Sequence, residues 1–300
     1  LKGQLKEAGK RFEGKTDMRH LAESDDQMAE RERLRQKEGE TGEDALTLIT
    51  ENAPVVLLGD AGAGKSTVSR EWEYRLAKSI LEPDPKIEAR LPIVVPASRV
   101  AGELQRLEGP HGDGQRLVGE DFDIPVSVAL APEPIESLIS LVPLPKNLPL
   151  DQLFEAGAAC LVIDALNEVG DQRQAVAEWA EAFHITFPLA PLIVCHRQYN
   201  YPAGLLSFPI VTLQKVEANQ AKRYIRESLS PTEKDEGRDG LADELIRLLL
   251  DDPNQEQVRD LAQTPLFLWM VVEYYRDKRS LPENRAHLLS LIHISEPTRP

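Results

Sequence analysis

Basic charge, cysteine, aromatic side chains and long apolar runs are all scarce in this 300-residue sequence, and each scarcity closes off a class of function. Only 35 basic side chains stand against 50 acidic ones, a formal charge of −15 at pH 7. A surface of that sign repels phosphate backbones and anionic bilayers, which argues against general nucleic-acid binding and against a membrane partner. The longest apolar stretches, such as PLFLWMVV at 265–272, fall well short of the roughly 20 residues that a membrane-spanning helix needs. The start of the chain does not read as a secretory leader. Two cysteines, Cys160 and Cys195, sit in apolar runs and read as reduced core thiols of a cytoplasmic protein. The six histidines share no ligand spacing with one another or with the cysteines, so a zinc site has no support.

What is present is organised in blocks. Residues 1–44 carry ten basic and twelve acidic side chains with few apolar ones, and read as a charged helical or linker segment. From Ala45 to about residue 215, short runs rich in Val, Ile and Leu alternate with helix-like text: PVVLL (54–58), LPIVVP (91–96), ACLVI (159–163), PLIVC (191–195) and PIVTL (209–213). Runs without polar alternation are those of strands covered on both faces, so the expected fold is α/β, a five-stranded, mainly parallel sheet flanked by helices. Between Ala101 and Pro149 the text is rich in glycine and proline and reads as a long irregular insertion with short helices, of no legible function. Residues 216–288 have helical character at 217–229, 240–251 and 255–279 and are expected to form a small helical subdomain. The last twelve residues, from Leu289, resemble a translated sequencing-library adapter and are set aside as foreign. With Leu1 in place of methionine, a fragment of a longer protein is expected.

The chemistry concentrates at Gly59-Asp60-Ala61-Gly62-Ala63-Gly64-Lys65-Ser66-Thr67, which satisfies G-x-x-x-x-G-K-[ST]. Glycines let the backbone bend so that successive N–H groups converge on phosphate oxygens, the lysine reaches the outer phosphates, and Ser66 offers a hydroxyl to Mg²⁺. An ordinary glycine-rich turn can spell the same pattern, but here PVVLL precedes it and an amphipathic stretch follows, with Val68, Trp72, Leu76 and Ile80 at four-residue intervals. That is the strand-loop-helix context a phosphate cradle requires. In CLVIDALNEV, four apolar residues deliver Asp164 to the C-terminal end of a strand, where a carboxylate can hold Mg²⁺; Glu168, four residues on, can polarise an attacking water. PLIVCHRQ ends a further strand at His196 and Arg197, and Arg197 can sense or stabilise γ-phosphate charge if its strand lies between the other two.

Taken together, GDAGAGKST, LVIDALNEV, LIVCHRQ and LAQTPLFLWMVVEYYRDKRSLPENRAHL resemble the NACHT branch of the STAND signal-transduction P-loop NTPases over residues 45–288. The resemblance implies ATP or GTP with Mg²⁺, the Arg197 strand between the other two active strands, and Pro265 packed against the base. It also implies self-association of the full-length protein on activation. Two departures stand out. Asn167 replaces the first of two acids that usually close the aspartate motif, which bears on hydrolysis, and Cys195-His196-Arg197 keeps only the arginine of the usual Thr-Ser-Arg.

The leading expectation is therefore a nucleotide-dependent switch with Glu168 and Arg197 in catalysis. A non-hydrolysing, nucleotide-stabilised scaffold is the alternative that Asn167 favours. An AAA+ type remodeller, which would need an arginine finger from a neighbour, and a small-molecule kinase stand further back.

Overall fold

The computed structural model describes residues 2–6, 43–84, 87–108, 148–229, 240–252, 255–282 and 286–287. Most of the charged N-terminal segment, most of the insertion and the whole tail from Leu289 lie outside these residues. The described chain falls into two compact units, Leu1–Asp60 with Lys65–Leu213, and Ala61–Gly64 with Gln214–Pro300.

The first unit is built on one sheet. Its strands in chain order are β1 (Lys2–Lys6), β2 (Glu43–Asp44), β3 (Val55–Leu58), β4 (Leu91–Pro96), β5 (Ala159–Asp164), β6 (Leu192–His196) and β7 (Ile210–Leu213). Their spatial order is β2-β1-β7-β3-β6-β5-β4. The five apolar runs supply the five parallel strands, β7-β3-β6-β5-β4. Two short antiparallel strands extend the sheet beyond the expected five, β1 against β7 and β2 against β1. β1, with the sequence KGQLK, pairs through its backbone, and Gly3 lets it approach its neighbours closely. A Cβ there would lie 3.0 Å from Val211 Cγ1 and 3.1 Å from Leu48 Cδ1. No apolar pattern announces such a strand.

Helices α1 (Ala45–Asn52), α2 (Lys65–Leu81), α3 (Ala97–Glu108), α4 (Leu150–Glu155) and α5 (Arg173–Thr186) complete this unit. The stretch 101–108, the start of the insertion in which short helices are expected, is the end of α3. One face of the sheet, with Val56, Leu58, Leu161, Ile163, Leu192 and Val194, packs into a core with Val100, Phe154, Val176 and Phe183 from α3, α4 and α5. The alternate residues Val55, Leu57, Cys160, Val162 and Cys195 are equally buried and point to the opposite face, as a period of two requires. On α2, Val68, Trp72 and Leu76 are buried, but Ile80 is 48% exposed and Ser79 is buried in its place. Four-residue steps drift by about 40° each on a helix of 3.6 residues per turn, so the third step leaves the buried stripe by about 120°.

The second unit is helical: α6 (Ala218–Leu229), α7 (Leu241–Ile246) continued by a π-helical turn (Arg247–Asp251), α8 (Glu256–Ala262) and α9 (Pro265–Lys278). Ile225, Leu245, Leu249, Val271, Val272 and Tyr275 form its core. The stretch 255–279, of helical character, is divided into two helices. Pro265 lacks an N–H and forces the preceding residue out of helical geometry. Thr264 is accordingly extended, with φ −101° and ψ 128°, and the chain restarts with Pro265 in the first turn of α9. No helix among the described residues is long and apolar enough to cross a membrane.

Candidate functional site

In a parallel sheet all strands end at the same edge, so register decides which loops become neighbours. Leu58 of β3 is paired with His196 of β6, and Val194 of β6 with Ile163 of β5. The residues that follow or end these strands, Gly59, Arg197 and Asp164, therefore share one edge, with the Arg197 strand in the middle. Strands spaced about 4.8 Å apart place the outer two of three about 10 Å from each other. Alternation puts Asp164 with Cys160 and Val162, on the face opposite the α3–α5 core, and Cys195, two residues before Arg197, on that same face.

Lys65 opens α2 and turns back over the loop that precedes it. Its Nζ donates to the carbonyl of Gly59 and, at 3.1 Å, to that of Asp60. Burial is the main cause that holds its ammonium below the ordinary lysine range. The Arg197 guanidinium adds to that effect, while Cys195, Asp164 and Asp60 oppose it. Burial pushes the Cys195 thiol up far enough to keep it neutral, so the anions that matter to Lys65 at neutral pH are Asp164 and Asp60. Lys65, Asp164 and Arg197 thus lie within one another's electrostatic reach.

The loop itself uses glycine where the backbone favours it. Gly62 and Gly64 have φ of 78° and 95°, the left-handed region that costs other residues roughly 1–2 kcal/mol. At Gly62 a Cβ would also come within 3.0 Å of Leu266 Cβ. Within the second unit the Gly62 carbonyl accepts a hydrogen bond of 3.3 Å from the N–H of Leu266, the residue after Pro265. Gly62 and the start of α9 are therefore in direct contact. Ala61, Ala63, Gly64, Ser66 and Thr67 are partly buried or exposed, and the Ser66 and Thr67 side chains are open to solvent.

Beyond Asp164 the chain makes a sharp excursion. Ala165, although not glycine, has φ 61° and ψ 40°, and a 3₁₀ turn (Leu166–Glu168) follows, with Leu166 fully buried as its anchor. Backbone strain of this kind costs on the order of 1–3 kcal/mol and persists where packing over-determines it. The turn brings Glu168 back toward β6, where its Oε1 lies 3.7 Å from Arg197 Nη2, both side chains being more than half exposed. An exposed pair of that length contributes about 0–1 kcal/mol, so it is readily exchanged for another partner.

Two residues not assigned from sequence bear on this edge. Glu73 lies two turns into α2, and burial raises its carboxyl above the ordinary range, helped by the charge of Asp164 and opposed by Arg70 and Ser69. His196 ends β6 fully buried, with Nδ1 2.6 Å from the Arg197 carbonyl oxygen. A carbonyl only accepts, so Nδ1 carries the proton and donates. Nε2 is buried with no partner among the described residues, and the ring meets Tyr201 edge-on at 5.1 Å between centroids. Burial holds the imidazole below its ordinary pKa; the Arg197 carbonyl opposes this, and Arg173 and Lys65 reinforce it. His196 is therefore a neutral Nδ1–H tautomer at neutral pH. Its place in an apolar strand was the available signal for it.

Cys160 and Cys195 are free and buried, and burial pushes the Cys160 thiol up to about 12. Among the described residues no three His, Cys, Asp or Glu side chains are grouped to hold a metal ion by themselves. A Mg²⁺ site of the nucleotide-binding kind does not need such a group. It takes one or two protein oxygens and completes its shell with phosphate and water, and Ser66 Oγ with the Asp164 carboxylate is a donor set of that size.

No family model and no curated protein matches the chain. Among solved structures it is similar to a STAND protein with a tetratricopeptide repeat sensor from Pyrococcus horikoshii. There the identity is 15%, the coverage 83% of this chain and 31% of that one, and the TM-score 0.41. It is also similar to domain III of the replication initiation protein DnaA from Thermotoga maritima, with 14% identity, 84% and 90% coverage, and a TM-score of 0.38. AMPPCP-bound DnaA from Aquifex aeolicus gives 11%, 88% and 74%, and 0.36. The chain spans less than a third of the STAND protein. Likeness at this level carries nothing about activity, so what the site does rests on its own residues.

Proposed function

We propose that the chain is the nucleotide-binding module of a P-loop NTPase of the NACHT type, a switch that binds ATP or GTP with Mg²⁺ and hydrolyses it slowly. The observation that carries this reading is the common sheet edge of Lys65, Asp164 and Arg197, fixed by the pairing of β3 with β6 and of β6 with β5. A glycine-rich bend alone binds nothing in particular; a bend, a cation and a carboxylate on one edge fit a triphosphate with its metal.

In this reading the bend Gly59–Gly64 and the start of α2 direct N–H groups at the phosphates, and Lys65 leaves the Gly59 and Asp60 carbonyls to meet them. Ser66 and Asp164 hold Mg²⁺, which when bound neutralises charge that accumulates on the phosphates. Glu168 orients and polarises the attacking water. Arg197 exchanges its weak pair with Glu168 for the γ-phosphate, so that one event both senses the third phosphate and frees the carboxylate. A contact present with triphosphate and absent with diphosphate is what biases a two-state switch. Self-association on activation is the output.

Lys65→Ala tests the reading. It is expected to abolish ATP binding in calorimetry while leaving the melting transition intact, and unchanged affinity refutes the assignment. Asn167 favours one second reading, a scaffold that binds nucleotide but turns over negligibly. Phosphate release by wild-type protein no faster than by Lys65→Ala would establish it.

A further inference from the structure

We propose that His196 is a positioning residue for Arg197: its Nδ1–H bond to the Arg197 carbonyl sets the direction in which the arginine leaves β6, and thereby how the site distinguishes triphosphate from diphosphate. The inference rests on the reading of Arg197 as the γ-phosphate sensor.

Three observations carry it. First, the imidazole occupies a position where an apolar side chain would cost nothing. Every other residue of β6 is apolar or a thiol and buried, and His196 projects by alternation with Leu192 and Val194 toward the core lined by α5. A buried imidazole there leaves Nε2 without a partner among the described residues and so carries a desolvation penalty. Secondly, its one hydrogen bond, 2.6 Å to Arg197 O, is spent on the backbone of the adjacent residue. At that point the strand has ended and no ladder partner fixes the chain. A clamp on this carbonyl restricts rotation between His196 and Gln198, and so limits the directions open to the Arg197 side chain.

Thirdly, the segment that follows is held from the same side. Arg173 at the start of α5 donates from Nη1 to the Asn200 carbonyl at 3.3 Å, and the Tyr201 ring packs edge-on against the imidazole. The clamp is thus anchored at His196 and again at Asn200 and Tyr201. Arg197 itself is more than half exposed and pairs with Glu168 at 3.7 Å. An exposed pair of that length aims the side chain only loosely, so its backbone sets the direction. Glutamine, leucine and asparagine in place of His196 separate these roles. Asparagine can place an amide N–H near the Nδ1 position, glutamine carries its amide one carbon further, toward the Nε2 position, and leucine fills the volume without a donor.

The test is the ratio of ATP to ADP affinity, measured by calorimetry with Mg²⁺ on the full chain. Loss of one neutral hydrogen bond corresponds to a change of about 3- to 10-fold. His196→Leu and His196→Gln are expected to lower the ratio by about that factor, chiefly through ATP, with ADP affinity kept; His196→Asn restores most of it. In an Arg197→Ala background, where the ratio is already low, His196→Leu adds nothing further. The proposal is overturned if His196→Leu and His196→Gln keep the wild-type ratio, if both nucleotides weaken equally, or if the His196 and Arg197 effects multiply independently. Should His196→Leu fail to fold, the contrast between asparagine and glutamine decides alone. If Arg197→Ala leaves the ratio unchanged, the sensor reading itself falls, a result distinct from failure of the clamp.

Discussion

Glu168 and His196 show how different the surroundings of two side chains at one sheet edge can be. Glu168 is exposed, on a turn, and paired at 3.7 Å with a cation that a phosphate can take away. Glu168→Gln keeps the shape and removes the base. Nucleotide affinity is expected to hold while phosphate release falls by about 100-fold or more, the usual contribution of a positioned general base. Equal release by both forms removes Glu168 from the mechanism. His196 is the opposite case, a titratable group held neutral by burial. Its folded pKa lies below its unfolded value, so folding excludes a proton that the unfolded chain binds. The native state is then unpenalised above the unfolded pKa and loses stability as pH falls below it toward the folded pKa. Denaturant midpoints measured between pH 8 and pH 5 are expected to fall less steeply in His196→Leu than in wild type. Parallel curves would show that the imidazole is not held neutral.

At the scale of elements, the glycine bend is where sequence and structure agree most closely, and for a physical reason. Positive φ at Gly62 and Gly64 is a local demand that leaves its mark directly in residue type. Gly62→Ala is expected to cost about 1–2 kcal/mol in stability from the left-handed backbone. It should also weaken ATP binding, because its Cβ would press on Leu266 and displace the bend. Wild-type melting and affinity in that variant would mean that the bend is adaptable and not a formed cradle. The five parallel strands were legible for a similar reason, since burial on both faces writes an unbroken apolar run. β1 was not, because KGQLK pairs through backbone groups that any sequence has. The left-handed Ala165 was equally hidden: alanine carries no preference for that conformation, and the packing of Leu166 imposes it from outside. Thr264 ends a helix that periodicity alone would have continued, although the proline after it was there to be read.

For the whole molecule, charge and topology set what the site can meet. The excess of acidic over basic side chains, 50 to 35, makes long-range attraction to nucleic acid unfavourable, while a triphosphate needs only the local cations of one edge. Fluorescence anisotropy with a labelled duplex at about 150 mM salt, with ATP present, is expected to show no binding in the micromolar range. Saturable binding there would contradict the reading from net charge. The order of the three active strands was available from sequence only through resemblance, because pairing is a long-range choice that no local pattern encodes; the identities of the edge residues were local and could be read. What neither level of reading could supply from spacing was the approach of Glu168 to Arg197, which depends on a turn and a strand 29 positions apart in sequence.

The most direct test is a calorimetric titration of ATP, with Mg²⁺ and with a chelator, into wild type, Lys65→Ala and Asp164→Asn. If one bound nucleotide and its metal are held jointly by this edge, wild type binds more tightly with Mg²⁺, and Asp164→Asn binds ATP but loses the gain from the metal. Lys65→Ala then binds under neither condition. An Asp164→Asn protein whose affinity still rises with Mg²⁺ as in wild type would contradict the shared site.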